Sequence, residues 1–395
     1  MLAVPALSLA DATFAHAADS APTAPATDMP GGFPLNIKTN GDKSYWVTII
    51  GQQTPGHYSY VDSRGTVHSV AQQGVDGMSF QLSGSEAQIQ LPAHLEGGRI
   101  YLSEKAMLMP AAKDGAGRPS DVGYVQPDLN NPSDPNQGNP YDFFEFTFEN
   151  GKINFGGNTS QVDGFSIPMT AELKQDASGF DKTVGIKGMT AQDVIAEYKK
   201  DTEGTPFADI ISADGKHITA PRSAAAFRAG GAGAGYFDGP ITQAWNAWKD
   251  KDFKLTDGNN VYTGKTGGAG KDLTFTKTVG GQVVDKGSVA MPTTADVVAC
   301  NGALASGSDA DKFVEARLCA AFNRGIAEND PASWNDAASY YPAGKESNKY
   351  AAFFHKISLD NLAYGFAYDD VYDKSSVMIL PNSEAPTSLT LTLGG

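Results

Sequence analysis

Between residue 33 and about residue 173, apolar and polar positions alternate along the chain in short runs. A period of two is typical of β-strands with one buried face, and these runs are rich in β-branched and aromatic residues. Clusters of Gly, Asn, Asp and Pro separate them, as turns separate strands. The pattern predicts an antiparallel β-sandwich or barrel, with strands that include residues 45–50, 79–82, 89–91 and 144–148.

A helical period replaces the alternation near Lys187. Polar capping residues, or a proline in the first turn, precede apolar stripes at spacings of three and four. We predict four helices, which start near Thr190, Asp238, Thr294 and Ser308 or Asp309. Trp245 and Trp248 share one face of the second helix, and their spacing favours core packing over a role as sugar platforms.

Strand-like alternation returns after about Asn348 and ends at residues 388–393. A terminal strand of this kind indicates that the end of the chain returns to complete the first β-domain. With 395 residues, the chain is also longer than the 250 to 300 residues or so at which single cores stop growing. We therefore predict a β-domain of residues 32–184 with 346–395 and an inserted mixed α/β domain of residues 185–345.

Charge narrows the classes of partner. The chain has 30 Lys and Arg against 45 Asp and Glu, which gives a formal net charge of -15. A protein that binds nucleic acid through its phosphates needs a basic surface, so that class is excluded. After the first dozen residues no apolar stretch is long enough to span a bilayer. A neutral or cationic partner suits this balance, and neutral polysaccharide is one candidate. We expect a monomer with no membrane partner.

The N-terminus indicates export, and export in turn bears on the two cysteines. Residues 1–17 resemble the end of a signal peptide, with an apolar stretch followed by small residues, and residues 18–31 have the composition of a disordered linker. We therefore expect a secreted or extracytoplasmic protein. In such a protein an isolated pair is expected to be bridged, so Cys300 and Cys319 predict a disulfide between the third and fourth helices.

Two carboxylates are the candidates for chemistry. In the predicted strand 144–148 a period of two buries the phenylalanines and projects Glu145 and Thr147 from the opposite face. Eighteen residues on, Gln161 and Asp163 share one side of the next apolar-polar run, and a hairpin could bring Glu145 and Asp163 to one surface. Paired carboxylates are the minimum equipment for hydrolysis of a glycosidic bond. Taken alone, however, the pattern is explained better by ordinary polar residues on a solvated sheet face.

Longer motifs favour the catalytic interpretation. Seven stretches, in this order, resemble the signature of glycoside hydrolase family 64, the bacterial and fungal β-1,3-glucanases related to thaumatin-like proteins. They are VQPD (125–128), NPSDPN (131–136), YDFFEFT (141–147), NTSQVDGF (158–165), RLCAAFNR (317–324), NKYAAFFH (348–355) and AYGFAYDDV (363–371). The resemblance extends over nearly all of the chain after the predicted linker.

This resemblance implies a thaumatin-like β-barrel or sandwich beside a mixed α/β domain, with a wide groove between them. It implies hydrolysis of β-1,3-glucan with inversion, and release of oligosaccharides such as laminaripentaose. Glu145 matches the family's general acid and Asp163 its general base. The acid has to hold its proton near neutral pH, which requires that burial or a nearby negative charge raise its pKa. No cofactor or metal is expected.

Sugar contacts are expected from residues around these two carboxylates. Thr147 matches the family's sugar-binding threonine. Phe155 stands one position before Gly156 and Gly157, which occupy the place of the family's groove aromatic. The full set of expected substrate contacts is Thr147, Phe155, Asn158, Gln161, Asp369 and Asp370.

Two other classes of function stay open at this stage. A catalytically silent thaumatin-like protein could bind glucan without cleaving it, although binding alone does not require Glu145. A calcium-dependent lectin could use the Asp- and Asn-rich loop from Asp128 to Asn139, although that loop lacks the ligand spacing and closing Glu of an EF-hand.

Overall fold

The computed structural model describes residues 31–41, 43–72, 78–82, 84–129, 131, 133–267 and 272–394. The predicted signal remnant, and the predicted linker apart from Gly31, lie outside these ranges. Up to residue 185 the chain is mainly strand, as its alternation predicts. These strands are β1 (Phe33–Thr39), β2 (Trp46–Thr54), β3 (His57–Val61), β4 (Val67–Ser69), β5 (Ser79–Gln81), β6 (Glu86–Leu91), β7 (His94–Ser103), β8 (Ala111–Lys113), β9 (Pro119–Tyr124), β10 (Tyr141–Glu149), β11 (Ile153–Thr159), β12 (Gly164–Phe165), β13 (Met169–Gln175) and β14 (Phe180–Gly185).

The rest of the chain is mixed. Its helices are α1 (Ala191–Asp201), α2 (Asp238–Asp250), α3 (Thr294–Ala299), α4 (Asp309–Asn323) and α5 (Lys349–Ile357). Its strands are β15 (Ile218–Thr219), β16 (Phe253–Asp257), β17 (Asn260–Thr266), β18 (Leu273–Val279), β19 (Gln282–Val289), β20 (Met378–Ile379) and β21 (Ser388–Leu393). The fold is mainly β with some helices.

Two sheets pack face to face to form a sandwich. One has the strand order β14-β13-β21-β1-β6, and the other has the order β20-β11-β10-β7-β2-β3-β4. Their inner faces share one apolar core, to which β1 contributes Phe33 and β10 contributes Phe144, Phe146 and Phe148. The barrel alternative is wrong, because among the described residues no strand pairing joins the two sheets into a closed barrel. A sandwich buries the same alternating faces without closure.

The terminal strand lies where the sequence predicts it. β21 pairs in parallel with β1 and antiparallel with β13, so the end of the chain fills the centre of the first sheet. Its leucines Leu389, Leu391 and Leu393 are fully buried in the sandwich core. The two ends of the described chain therefore belong to one sheet.

The predicted helices form, and their local signals explain their starts. Thr190, Thr293 and Ser308 are N-caps with complete capping boxes at α1, α3 and α4. These helices, with the sheet β16-β17-β18-β19, surround a second apolar core. Trp245 and Trp248 are buried in it, as their helical spacing predicts.

The expectation of strands directly after Asn348 is wrong. Asn348 caps α5, and Tyr350, Phe353 and Phe354 pack with residues of the second core rather than with the sandwich. Aromatic residues are common in strands, but their spacing of three and four here is helical. Packing of residues 350–366 thus crosses the predicted domain boundary at 346.

A disulfide joins Cys300 to Cys319, as predicted, and links the end of α3 to α4. Both cysteines are buried in the second core. No helix within the described ranges has the length and apolar character that crossing a membrane requires.

Removal of this disulfide is expected to destabilise the protein. In the chain-entropy description, a link across a sequence separation of 19 restrains the unfolded chain by about 3 kcal/mol. The double variant C300A/C319A should therefore lose about that much free energy of unfolding in guanidinium chloride titrations. Reduced wild-type protein is the matched control and should unfold at the midpoint of the variant. Equal stability of oxidised wild type and variant would contradict the assignment.

Candidate active site

Strand β10 carries Glu145 on the face of its sheet that points away from the sandwich core. Phe144, Phe146 and Phe148 fill the core, so the intervening Glu145 and Thr147 face outward and are half-buried. In the sheet register Glu145 lies opposite Arg99 of β7 and opposite Asn158 of β11. Directly opposed residues project to the same face, so these three side chains are neighbours.

Asp163 reaches the same surface from a loop. The strand expected to hold Gln161 and Asp163 ends at Thr159, and Gln161 is buried while Val162 is half-buried, the reverse of the predicted alternation. Gly164 follows with φ 148°, where an added Cβ would lie 3.0 Å from the Ile218 carbonyl oxygen. Glycine is required at this position, which is the first of β12 and pairs with β15.

One guanidinium joins the two carboxylates. Arg99 Nε donates to Glu145 Oε2 at 3.1 Å, and Arg99 Nη1 lies 3.9 Å from Asp163 Oδ2. Because a guanidinium is small and planar, these contacts place the two oxygens less than about 10 Å apart. Glu145 and Asp163 keep 28% and 31% of their side-chain surface exposed, so both are open to a ligand.

A second arginine holds Asp163 alone. Arg222 Nη2 donates to Asp163 Oδ1, and it is brought there by the β12–β15 pairing because it follows β15 by three residues. Burial and the nearby Arg99 charge lower the pKa of Arg222 to about 10, so it is still a cation at neutral pH. Burial also opposes ionisation of Arg99, but Tyr101 and Glu145 outweigh it and raise the pKa of Arg99. Asp163 therefore forms ion pairs with two cations and Glu145 with one, although the charge of Glu145 also acts to raise the pKa of Arg222.

A cavity of about 370 Å³ opens beside this arrangement. Arg99, Asp163 and Arg222 line it together with Tyr101 and Tyr141, while Glu145 lies outside the lining and contacts it through Arg99. Charged groups beside aromatic rings in a concave site are typical of small-ligand and sugar binding.

Three expected sugar contacts lie close to the carboxylates. Thr147 Oγ1 accepts a 3.0 Å bond from the Gly97 amide, which leaves the hydroxyl hydrogen to donate elsewhere. Asn158 lies beside Glu145 in the register. Gln161 is buried, and its backbone N–H donates to the Tyr364 carbonyl at 2.8 Å, so it anchors the loop that carries Asp163. Direct sugar contact by these three residues stays a prediction.

The expectation for Phe155 is wrong. Its ring is fully buried in the sandwich core and stacks on Phe146 with centroids 5.4 Å apart. On β11 the inward positions are 155, 157 and 159, so the outward positions beside Glu145 are Gly156 and Asn158. This strand therefore offers no aromatic ring to the groove face.

The predicted substrate contact by Asp369 is also wrong. It is fully buried and binds His355 Nε2 at 2.9 Å and Arg324 Nη2 at 3.3 Å, so a substrate cannot contact it. Asp370 is half-buried and follows a turn at Tyr368, whose φ is 68°. Tyr364 donates to Asp370 Oδ1 at 3.3 Å, and burial raises the pKa of this carboxyl. A substrate contact by Asp370 stays a prediction.

The residues suited to a metal ion lie apart from the carboxylate pair. His94, Glu96 and Glu149 place one ligand atom each within 4.8 Å of one another. Their polar atoms already have partners, since His94 binds Glu96 at 3.0 Å and Lys152 pairs with Glu149. Residues 130 and 132 of the Asp128–Asn139 loop lie outside the described ranges. Within this loop, Asp134 accepts hydrogen bonds from the backbone N–H groups of Asp128 and Asn136 and so stabilises the loop conformation.

Sequence reasoning missed Arg99 and Arg222. The signal for Arg99 is weak but real: a single cation interrupts the apolar run of β7. Its partner is 46 residues away, and only the strand register brings the two together. Arg222 has no local signal, because its place follows from the β12–β15 pairing.

Two carboxylates at the edge of a cavity, on a β-sandwich with an α/β part, are the arrangement that hydrolysis of a glycosidic bond requires. The family model for glycoside hydrolase family 64, described as β-1,3-glucanase, matches residues 32–393. The chain therefore belongs to this family.

Individual relatives agree with the family match. A glucan endo-1,3-β-glucosidase of Cellulosimicrobium cellulans is 26% identical over 381 residues, which cover 92% of this chain and 65% of the relative. A crystal structure of a family 64 β-1,3-glucanase domain from Clostridium beijerinckii has a TM-score of 0.77 at 27% identity and covers 94% of this chain and 100% of that one.

A further crystal structure is similar over its whole length. It shows a laminaripentaose-producing β-1,3-glucanase in complex with laminaritetraose, with a TM-score of 0.76 at 25% identity. The alignment covers 92% of this chain and 99% of that one. The present chain thus spans 65% of the curated relatives it matches but nearly all of these solved domains.

The buried Asp369 network predicts a pH-dependent stability. Burial disfavours charge on His355, but Asp369 outweighs it and raises the pKa of His355. The contribution of protonated His355 to the free energy of unfolding is therefore complete below the unfolded pKa of about 6.5. It is lost as pH rises through the higher pKa of the folded state. Urea titrations of wild type should show lower stability at pH 9 than at pH 6, whereas H355Q should be weaker by about 1–3 kcal/mol at pH 6 and should show less pH dependence. Equal pH dependence in both proteins would contradict this.

Proposed function

We propose that the protein is an endo-β-1,3-glucanase that hydrolyses β-1,3-glucan with inversion, with Glu145 as general acid and Asp163 as general base. The observation that carries the proposal is the shared contact of both carboxylates with Arg99, which brings them to one exposed surface within reach of one sugar. Membership of family 64, and the glucanase activity named for its relatives, support the choice of substrate.

The electrostatics support the role proposed for Asp163. Two guanidinium groups on Asp163 favour its charged form, which is the form a general base needs. Glu145 contacts a cation, so a negative neighbour, one of the two alternatives expected for the general acid, is not what this contact supplies. Arg99 there stabilises the charge that Glu145 acquires as it gives up its proton.

The reaction then follows from these positions. Glu145 donates a proton to the glycosidic oxygen as the bond from that oxygen to the anomeric carbon breaks. Asp163 takes a proton from a water whose oxygen bonds to the same carbon from the opposite face. Inverting enzymes place their carboxyl groups about 6.5–9.5 Å apart to admit this water, and that spacing lies within the limit set by the Arg99 contacts.

Other aspects of the proposal follow the family. We propose a thaumatin-like β part and an inserted α/β part, predicted as residues 185–345 and completed in its core by residues 350–366, that flank the substrate groove. We also propose export of the protein and release of short oligosaccharides such as laminaripentaose. The outward positions of β11 carry no aromatic ring. The length of the released oligosaccharides is therefore an informative measurement.

Substitution of either carboxylate is expected to remove nearly all activity. E145Q and D163N keep shape but lose proton transfer, so kcat on laminarin should fall by about 10²–10⁴-fold. E149Q is the matched control, since Glu149 lies on the same strand and outward face but pairs with Lys152. Reducing-sugar assays measure the rates, and thermal unfolding checks the folds. Full activity in E145Q or D163N would contradict the assignment.

Product analysis separates hydrolysis from binding alone. Wild type incubated with laminarin should release oligosaccharides whose lengths chromatography resolves, and EDTA should leave the rate unchanged because no step uses a metal. Binding to curdlan without new reducing ends would instead indicate a silent glucan-binding protein. Binding abolished by EDTA would indicate a calcium-dependent lectin.

A further inference from the structure

Asp142 links the strand of Glu145 to the segment of Asp163. It lies three residues before Glu145 on β10 and is buried, with 6% of its surface exposed. Its Oδ2 accepts hydrogen bonds from the backbone N–H groups of Ser166 and Ile167, both at 2.6 Å. These amides follow Asp163 by three and four residues, so the bonds fix the outgoing end of its loop.

The incoming end of the same loop is fixed separately. The Gln161 N–H donates to the Tyr364 carbonyl at 2.8 Å, and the Tyr350 hydroxyl donates to the Gln161 carbonyl at 2.6 Å. Tyr350 belongs to α5, in the second core. On the incoming side β11 pairs with β10 up to Thr159, and on the outgoing side Asp142 ties the loop to the same strand, so Asp142 completes the attachment of the Asp163 loop to the strand of Glu145.

We propose that Asp142 is a positioning residue, which holds Asp163 at its working distance from Glu145 through the Ser166 and Ile167 amides. The catalytic part of this inference rests on the proposed function. The geometric part is independent of that function, because the restraint on the loop can be measured without substrate.

Protonation of Asp142 provides a signature of this buried position. Burial raises the pKa of Asp142 to about 8, although its two backbone donors oppose this. Tyr141 and Tyr350, whose pKa values burial raises well above 10, face it as neutral groups. Between about pH 4 and pH 8 the folded state keeps a proton that the unfolded chain releases, so this contribution to stability declines over that range.

Three variants test the proposal. D142A removes the acceptor, and D142N keeps a neutral oxygen that can accept both amides. D311A is the matched control, because Asp311 is buried (8% exposed) and accepts the Ser288 and Ser308 amides at 2.7 Å on α4, away from the carboxylate pair. Hydrogen–deuterium exchange reports on residues 160–167, and kcat and KM are measured on laminarin.

D142A should exchange faster in residues 160–167 and should lose about 10²-fold in kcat with KM nearly unchanged, since a misplaced base slows chemistry more than binding. D142N should restore the protection of residues 160–167 against exchange and most of kcat. As pH rises from 4 to 8, the free energy of unfolding of D142N should increase relative to that of wild type. D311A should leave loop exchange and kcat at wild-type values.

Unchanged loop exchange in folded D142A would overturn the proposal whatever the activity. Wild-type kcat in D142A, with E145Q inactive, would overturn the positioning role alone and leave the glucanase assignment intact. If D142A does not fold, Y350F tests the opposite anchor: it should raise exchange in the same residues, and unchanged exchange there would likewise count against a clamped loop.

Discussion

The pairing of Arg99 with two carboxylates is the interaction on which the site depends. A mostly buried guanidinium is costly unless it is paired, and here Glu145 and Asp163 share it from different segments of the chain. Arg222 adds a second cation on Asp163 only. The result is an asymmetric pair, with two ion pairs on Asp163 and one on Glu145, and the two cations on Asp163 suit the proposed role of this residue as the base.

The two cores bring these groups together. The sandwich fixes β10 and β7 in register, which sets Glu145 opposite Arg99. The second core fixes α5, whose Tyr350 holds the loop before Asp163. The short β12–β15 pairing then places Arg222 on Asp163. The site thus lies where the sandwich meets the α/β part, and elements of both parts position its charges.

Local signals in the sequence predict much of this fold. Capping boxes involve residues three apart, so the starts of α1 and α4 can be read directly, and strict alternation predicts the faces of β10 and β21. Where glycine hides the alternation, as at Gly156 and Gly157, the direction of Phe155 cannot be read. The aromatic residues of α5 are common in strands, but their spacing of three and four is helical, so this helix could have been predicted from the sequence. The contacts of Arg99, Arg222 and Asp369 join distant segments, so they follow only from the assembled fold.

The central claim is that two carboxylates stand on opposite sides of one sugar with room for a water between them. The configuration of the first product tests this most directly, because direct attack by water inverts the anomeric carbon whereas a covalent intermediate retains its configuration. In an NMR time course with a laminari-oligosaccharide, the account predicts that the α-anomer appears first and then mutarotates. Initial formation of the β-anomer would contradict it.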